Sequence, residues 1–482
     1  MDPGPAPGRL ARNPRATIAV LGYCGGLVSV SQTVSLPLLP ILPAELDTSI
    51  SNVSWVATAS FLTGAVANPV LGRLGDMHGK RRVMLFALAV LAIGCLIAAV
   101  APNILILVIA RALQGFGTAV LPLGMSIAKD TLPADQMTQG VALVSATLGI
   151  GGGLGLPLSG LLLGWFDWHA VFWVTLALTV LAIVLTIRLV PVADEVQSTP
   201  QKFDVIGAVW LSLCLVAILL PISKAATWGW VEPLPVTMFA IGILGVFGWA
   251  RYERRPEHPL VDVALMKQRP LVVINVAGVL LGFAMFSNMY ATLVLLQTTD
   301  LADYGFGASA VVAGLVMLPG ALAMMFTSPV SAWIIDNHGA RAALIAGSVV
   351  MAVSYALRMV MLDTLWQIGL SVALVNAGIG VAYGAFPSAI MANVPASETA
   401  SANAIGTLAR AGGAALSSAV IAAILGSLTV VIAGDSIASL DAFKLTFLLS
   451  GAASLVAAGV ALWLPEPLRD RSKRSVDPAI AS

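Results

Sequence analysis

The residues best suited to chemistry are few and stand where apolar runs meet. Gly72 to Arg82 reads GRLGDMHGKRR, one carboxylate, Asp76, among glycines and followed by Lys80, Arg81 and Arg82. Gly75 and Gly79 permit a tight backbone turn, and an acid near a helix N-terminus gains about 0.3–1 kcal/mol. The three cations suit anionic headgroups or an acidic partner. The stretch has an echo. Asn68 to Arg81 reads NPVLGRLGDMHGKR and, 260 residues on without a gap, Ser328 to Arg341 reads SPVSAWIIDNHGAR. Pro69/Pro329, Val70/Val330, Asp76/Asp336, His78/His338, Gly79/Gly339 and Arg81/Arg341 coincide. A repeat at that distance in so apolar a chain implies two related halves.

Well inside the apolar runs stand two arginines of interest, Arg111 and Arg410. An arginine at the centre of a membrane span costs about 2.5–3.5 kcal/mol, so Arg111 should face a polar interior. It can serve as a structural arginine bonded to carbonyls or to Gln114. Arg410 lies nearer an edge and is free to snorkel. Gly149 to Gly160, GIGGGLGLPLSG, contains Gly149, Gly153, Pro157 and Gly160, small residues that let helix backbones approach closely. Gln32, Asn275, Asn288, Tyr290, Asn376 and Tyr383 are uncharged hydrogen-bonding residues that would line a largely apolar substrate cavity, or simply belong to the core. No Asp or Glu stands in the middle of any apolar run. Such a chamber suits neutral, amphipathic or lipophilic molecules better than a strong cation.

These residues are positioned by membrane spans. With 58% hydrophobic and 10% charged residues the chain belongs in a bilayer, and a net charge of +1 gives no basic surface for nucleic acid. At about 20 apolar residues per crossing, we count fourteen spans. Residues 1–190 hold six, 191–269 hold polar links around two more, 270–464 hold a second six, and 465–482 form a polar tail. The first span is read as retained rather than cleaved, and the last of the second six but one as running from Ala402 to Ile432. Asp76 falls between spans two and three and Asp336 between spans ten and eleven, so the two extra helices lie between the halves. With Arg9, Arg12 and Arg15 holding the N-terminus inside, the inner loops and tails carry twenty of the twenty-five Lys and Arg residues, as the positive-inside rule requires. Lys224, Arg358 and Lys444 fall near the outer face. Both termini are then cytoplasmic, in a cytoplasmic (inner) membrane.

Gly72, Asp76, Gly79 and Arg81 follow the spacing GxxxDxxGxR, which resembles the cytoplasmic signature of the major facilitator superfamily. Arg111, Gln114, Gly115 and Gly117, in RALQGFG, resemble its fourth-span signature. Gly149 to Gly160 is similar to the glycine-rich antiporter motif of drug exporters, with its proline one place late at Pro157 and Ser159 for a glycine. Together with Asn403, Arg410, Gly413 and the fourteen spans, these motifs resemble the fourteen-helix drug:proton antiporter branch. The resemblance implies two six-helix bundles plus two central helices and alternating access. It also implies Asp76 as a latch onto the opposite half in the outward-facing state, protons as coupling partner, and a part for Arg111 in proton transfer or the substrate path. Ser31 stands where the branch commonly has a first-span aspartate, which leaves Asp76 as the remaining acid for coupling.

An enzyme is not expected: the four histidines lie at span edges, and no HExxH, GxSxG or GxxxxGKS motif is present. Cys24, Cys95 and Cys214 sit in apolar runs without metal-ligand spacing, and no cofactor is expected. The sequence reads as an exporter of small amphipathic or lipophilic compounds, of multidrug-efflux type, in contact with membrane lipids. The alternatives are a lipid or metabolite exporter or facilitator with weak or no proton coupling and, further off, a non-transporting receptor.

Overall fold

The computed structural model describes residues 13–39, 41–191, 203–229, 232–254, 266–395, 398–432 and 435–465. Arg9 and Arg12, most of the link after residue 191, residues 255–265 and all but the first residue of the 465–482 tail lie outside these. The chain is almost entirely helical, as a bilayer demands, since a backbone amide in hydrocarbon must be satisfied within its own segment. In order come α1 (Pro14–Thr33), α2 (Ile50–His78), α3 (Lys80–Ala99), α4 (Ile104–Thr131), α5 (Ala134–Trp165) and α6 (His169–Leu189). Then follow α7 (Val205–Trp228), α8 (Pro233–Tyr252), α9 (Arg269–Gln297), α10 (Ala310–Arg358), α11 (Leu365–Met391), α12 (Thr399–Ser427) and α13 (Leu440–Ala461). Among the described residues, eleven spans are long and apolar enough to cross a membrane. Large apolar side chains such as Leu105, Leu244, Phe247 and Phe326 are exposed on the outside of the bundle, where lipid rather than water would meet them.

Local sequence sets the helix ends. Asn13, Ser49, Asn103, Ser309 and Ser439 are N-caps whose side chains accept a first-turn amide, at 3.0 Å for Asn103 and Ile106. Inside the spans, hydroxyls bond back along their own helix, as in Thr175 to the Val171 carbonyl at 2.7 Å and Thr446 to that of Ala442 at 2.9 Å. α1 ends at Thr33, short of the expected Ile41, and passes into a 3₁₀ turn at Leu36–Leu38. Pro37 and Pro40 supply no amide to continue it. α12 ends at Ser427, where an extension to Ile432 was expected. The β-branched Thr429–Ile432 instead forms β1, paired antiparallel with β2 (Asp435–Ala438) from Thr429↔Ala438 to Ile432↔Asp435.

The sequence repeat is a structural repeat. Gly79 has φ 97° and ψ 121°, and Gly339 has φ 85° and ψ 161°. Each is a one-residue break between two helices, and each follows by ten residues a proline within the helix, Pro69 or Pro329. Gly339 therefore divides α10 into arms of residues 310–338 and 340–358. The N-terminal helices pack as one body, with α1 against α5 and α3 against α4 and α6. α9 to α13 form another around Leu281, Met324, Phe386 and Phe447. The bodies meet where α5 packs on α10 and α2 on α12. α7 and α8 pack on each other, and α7 lies on α2 and α12 together, with Leu211 and Leu215 near Val70 and Leu408.

Gly79→Ala places a β-carbon on a backbone that L-residues avoid, at a cost of about 1–3 kcal/mol. Thermal unfolding in detergent should show a lowered midpoint for this variant. Gly412→Ala, on a helix with open space around it, should leave the midpoint unchanged or slightly raised.

Candidate functional site

The Asp76 turn reaches across the molecule through Lys80. The Asp76 side chain is only 2% exposed, and its Oδ1 lies 3.9 Å from Lys80 Nζ. That ammonium also donates to Asp130 Oδ2 at 2.6 Å and to Thr399 Oγ1 at 2.8 Å. Asp130 is on α4, in the same body. Thr399 opens α12, in the other. A second lysine makes the same crossing, Lys129 Nζ donating to the Met391 carbonyl at the end of α11 at 3.0 Å. Arg81 does not cross: its Nη2 donates to the Ile187 carbonyl at 2.7 Å, tying α3 to α6. Gly72 is buried where α2 passes through this region. In the second copy Asp336 and His338 are exposed and Arg341 half-buried, so the repeat preserves the turn without its buried surroundings. Sequence reasoning passed over Lys129, Asp130 and Thr399. The adjacent charges at the end of an apolar run were the available signal.

Arg111 is buried in the N-terminal body, 1% exposed. Its Nε donates to the Val56 carbonyl at 3.1 Å, and Nη1 to the Ser31 carbonyl at 3.0 Å and to Gln114 Oε1 at 2.6 Å. Gln32 stands alongside, its Oε1 accepting from Ser60 Oγ at 3.0 Å. In the C-terminal body Arg358, expected near the outer face, is 0% exposed. It donates to Asn288 Oδ1 and Thr292 Oγ1, each at 2.6 Å, and lies 4.4 Å over the Phe447 ring. Arg410 does not snorkel to an edge. It is buried over Phe386 at 4.5 Å and Tyr383 at 5.2 Å, with Nη2 bonded to Thr407 Oγ1 at 3.1 Å.

The glycine run on α5 serves helix contact. A β-carbon at Gly153 would stand 2.4 Å from that of Ala321, and one at Gly160 2.5 Å from Val311. Pro157 fills the space above Gly314, and Gly149 lies on the same helix. The six polar residues expected around one cavity are dispersed. Gln32 belongs with Arg111, Asn288 with Arg358 and Tyr383 with Arg410. Tyr290 is half-buried and stacks on Phe286 at 5.9 Å, Asn376 lies beneath Gly320, and Asn275 is half-buried on α9. A cavity of about 570 Å³ opens elsewhere, between Ala99, Pro102, Phe166, His169 and Trp173.

A family model described as Major Facilitator Superfamily matches residues 21–418. The chain belongs to the major facilitator superfamily. Its relatives in that family include the multidrug efflux pump LfrA of Mycolicibacterium smegmatis, 28% identical over 84% of this chain and 80% of the relative. The tetracenomycin C resistance and export protein of Streptomyces glaucescens is 26% identical over 78% of this chain. The riboflavin transporter RibZ of Clostridioides difficile is 26% identical over 74% of this chain and 76% of the relative. The chain spans 65% of the length of an uncharacterized Bacillus subtilis transporter of the family, YhcA, and 66% of the tetracenomycin protein. The human organic anion transporter MFSD10 has the same fold, with a TM-score of 0.65 at 16% identity over 93% of this chain and 99% of that one. It is accordingly a multi-pass membrane protein of that family.

Arg358→Leu removes two charge-assisted hydrogen bonds, each of about 1.5–3 kcal/mol, and should lower the unfolding midpoint strongly. Because Asn288 Oδ1 is then left without its donor, Arg358→Leu and Asn288→Leu should be less than additive, with a coupling of about 0.5–3 kcal/mol in a double-mutant cycle. Additivity would separate the two side chains energetically.

Proposed function

We propose that this member of the superfamily exports small amphipathic or lipophilic compounds by alternating access, with two six-helix bundles rocking about a central pair, α7 and α8. The observation that carries the reading is the crossing of Lys80 from the Asp76/Asp130 pair to Thr399. Among the described residues these polar contacts join the bundles at one end of the molecule, and a contact made in a single state is what a conformational equilibrium can be set by. Counting α2 and α5 as crossings and dividing α10 at Gly339 gives fourteen spans. Charge distribution then puts the Asp76 and Asp336 turns and both termini on the cytoplasmic side of an inner membrane. Relatives named as drug exporters favour efflux, and proton antiport is the energy source we assign. Asp76 is the acid placed to couple it, with Gly72, Gly79 and Arg81 shaping its turn, Asp336 and Arg341 its weaker copy, and Arg111, Gln114 and Arg410 the interior polar groups.

One observation favours a second reading, facilitated export without protons. No carboxylate stands in the middle of a span, and Ser31 occupies the first-span position where the resemblance would place an acid.

Reconstitution into proteoliposomes decides between them. An imposed pH gradient should accelerate flux of at least one of riboflavin, ethidium and fluorescein; flux indifferent to the gradient for all three would leave only the facilitator. Asp76→Asn should insert normally and lower turnover about fivefold or more, the effect of roughly a 1 kcal/mol shift in coupling. Unaltered turnover would remove the latch.

A further inference from the structure

The guanidinium groups of Arg111, Arg358 and Arg410 are among those buried, and none of the three is paired with a carboxylate among the described residues. Two of them spread their charge over aromatic rings. Arg111 has no ring contact among the described residues, and what surrounds it is different in kind. Its bonds to the Ser31 and Val56 carbonyls and to Gln114 use Nε and Nη1, and Nη2 takes part in none of them. Three neighbouring polar atoms are buried with no hydrogen-bond partner: Ser31 Oγ, Gln32 Nε2 and Gln114 Nε2. Ser31 and Gln114 are each 1% exposed, so bulk water does not satisfy them.

The unused capacity is chiefly that of donors. Amide and guanidinium nitrogens only donate, and a serine hydroxyl donates as readily as it accepts. The matching amide oxygens are already occupied, Gln32 Oε1 by Ser60 and Gln114 Oε1 by Arg111. What remains around Arg111 is therefore a set of donors beside a full positive charge. A buried charge without a counter-charge is costly, and water satisfies a donor without neutralising the cation. Val30, Val56 and Ala110, on the same helices, belong to a buried apolar cluster.

We propose that Ser31, Gln32, Arg111 and Gln114 form a binding site for the acidic group of an amphipathic organic anion, a carboxylate or sulfonate on an apolar body. This rests on the export reading above and narrows its substrate class from amphipaths in general to anions. The missing first-span acid becomes intelligible in these terms: at Ser31 an aspartate would neutralise Arg111 from within, and a serine leaves the charge to the ligand.

The test uses one ring system in three charge states: naphthalene-2-sulfonate, 2-naphthamide and trimethyl(2-naphthylmethyl)ammonium. Binding to the purified full chain is measured by equilibrium dialysis, and flux in proteoliposomes. The sulfonate should bind at least about tenfold more tightly than the other two, the scale of one hydrogen bond to a charged group. Arg111→Gln should abolish that preference and Arg111→Lys retain part of it. Should Arg111→Gln fail to fold, Gln114→Glu, close in volume, places a carboxylate beside the guanidinium and should move preference from the sulfonate towards the ammonium. Wild type that binds and moves the amide or the ammonium as well as the sulfonate overturns the anion site and leaves the export reading standing. Folded wild type that neither binds nor moves any of the three overturns both. An unchanged sulfonate preference in Gln114→Glu also overturns the site.

Discussion

An interior without water has to satisfy each polar group from its own side chains and backbone, and the arrangement of this molecule follows from that requirement. It explains why hydroxyls bond back to carbonyls one turn earlier, and why the helix starts carry caps. It also explains why the buried arginines are held so differently from surface ones. Arg358 is held by an amide oxygen, a hydroxyl and the face of Phe447, Arg410 by a hydroxyl and two rings. In neither case does an acid supply the balance. At Arg358 the guanidinium's own Nε is left without a partner, whereas at Arg111 the groups left over are the Ser31 hydroxyl and the amide nitrogens of Gln32 and Gln114.

Two of the contacts between the bodies are of different physical kinds, and this bears on which can open. The α5–α10 contact is made by Gly153, Pro157, Gly160 and Gly314 against aliphatic neighbours, and its strength lies in close packing that lipid could largely replace. The other end is joined by lysine bonds to Asp130, Thr399 and the Met391 carbonyl. Those groups lie at helix ends, so parting the bodies there would exchange protein partners for solvent at a modest net cost. A polar seam at helix ends is thus suited to break and reform, provided that the charges are not stranded in hydrocarbon when it does.

Much of the fold could be read from the chain, because the constraints that create it are periodic or repeated. Apolar length gave the spans, and the NPVLGRLGDMHGKR echo located Gly79 and Gly339, whose positive φ values are what only glycine supplies cheaply. The resemblance to the major facilitator superfamily, drawn from the residues around Asp76, Arg111 and Gly149, agrees with the family match. The site was less legible. Arg358 was placed only as a cation near the outer face, because its partners, Asn288 and Thr292, are 70 and 66 residues away. Thr399 carried no signal of its own, and its bond to Lys80 spans 319 residues. The Thr429–Ile432 strand was absorbed into an apolar run, although its β-branched composition set it apart.

The repeat also separates what a turn needs from what a site needs. At both copies the backbone requires a glycine and a proline ten residues earlier, and both have them. Only the first has Lys80, where the second has Ala340, and only the first buries its aspartate. Asp336 is exposed, so its carboxylate remains solvated and exerts little force on anything beyond its own loop. Asp76, desolvated beside Lys80, acts in a medium where charge interactions are several times stronger. The two halves thus share a turn and differ in its surroundings: the second keeps the shape, and the first adds a buried carboxylate beside a lysine that bonds to the other body.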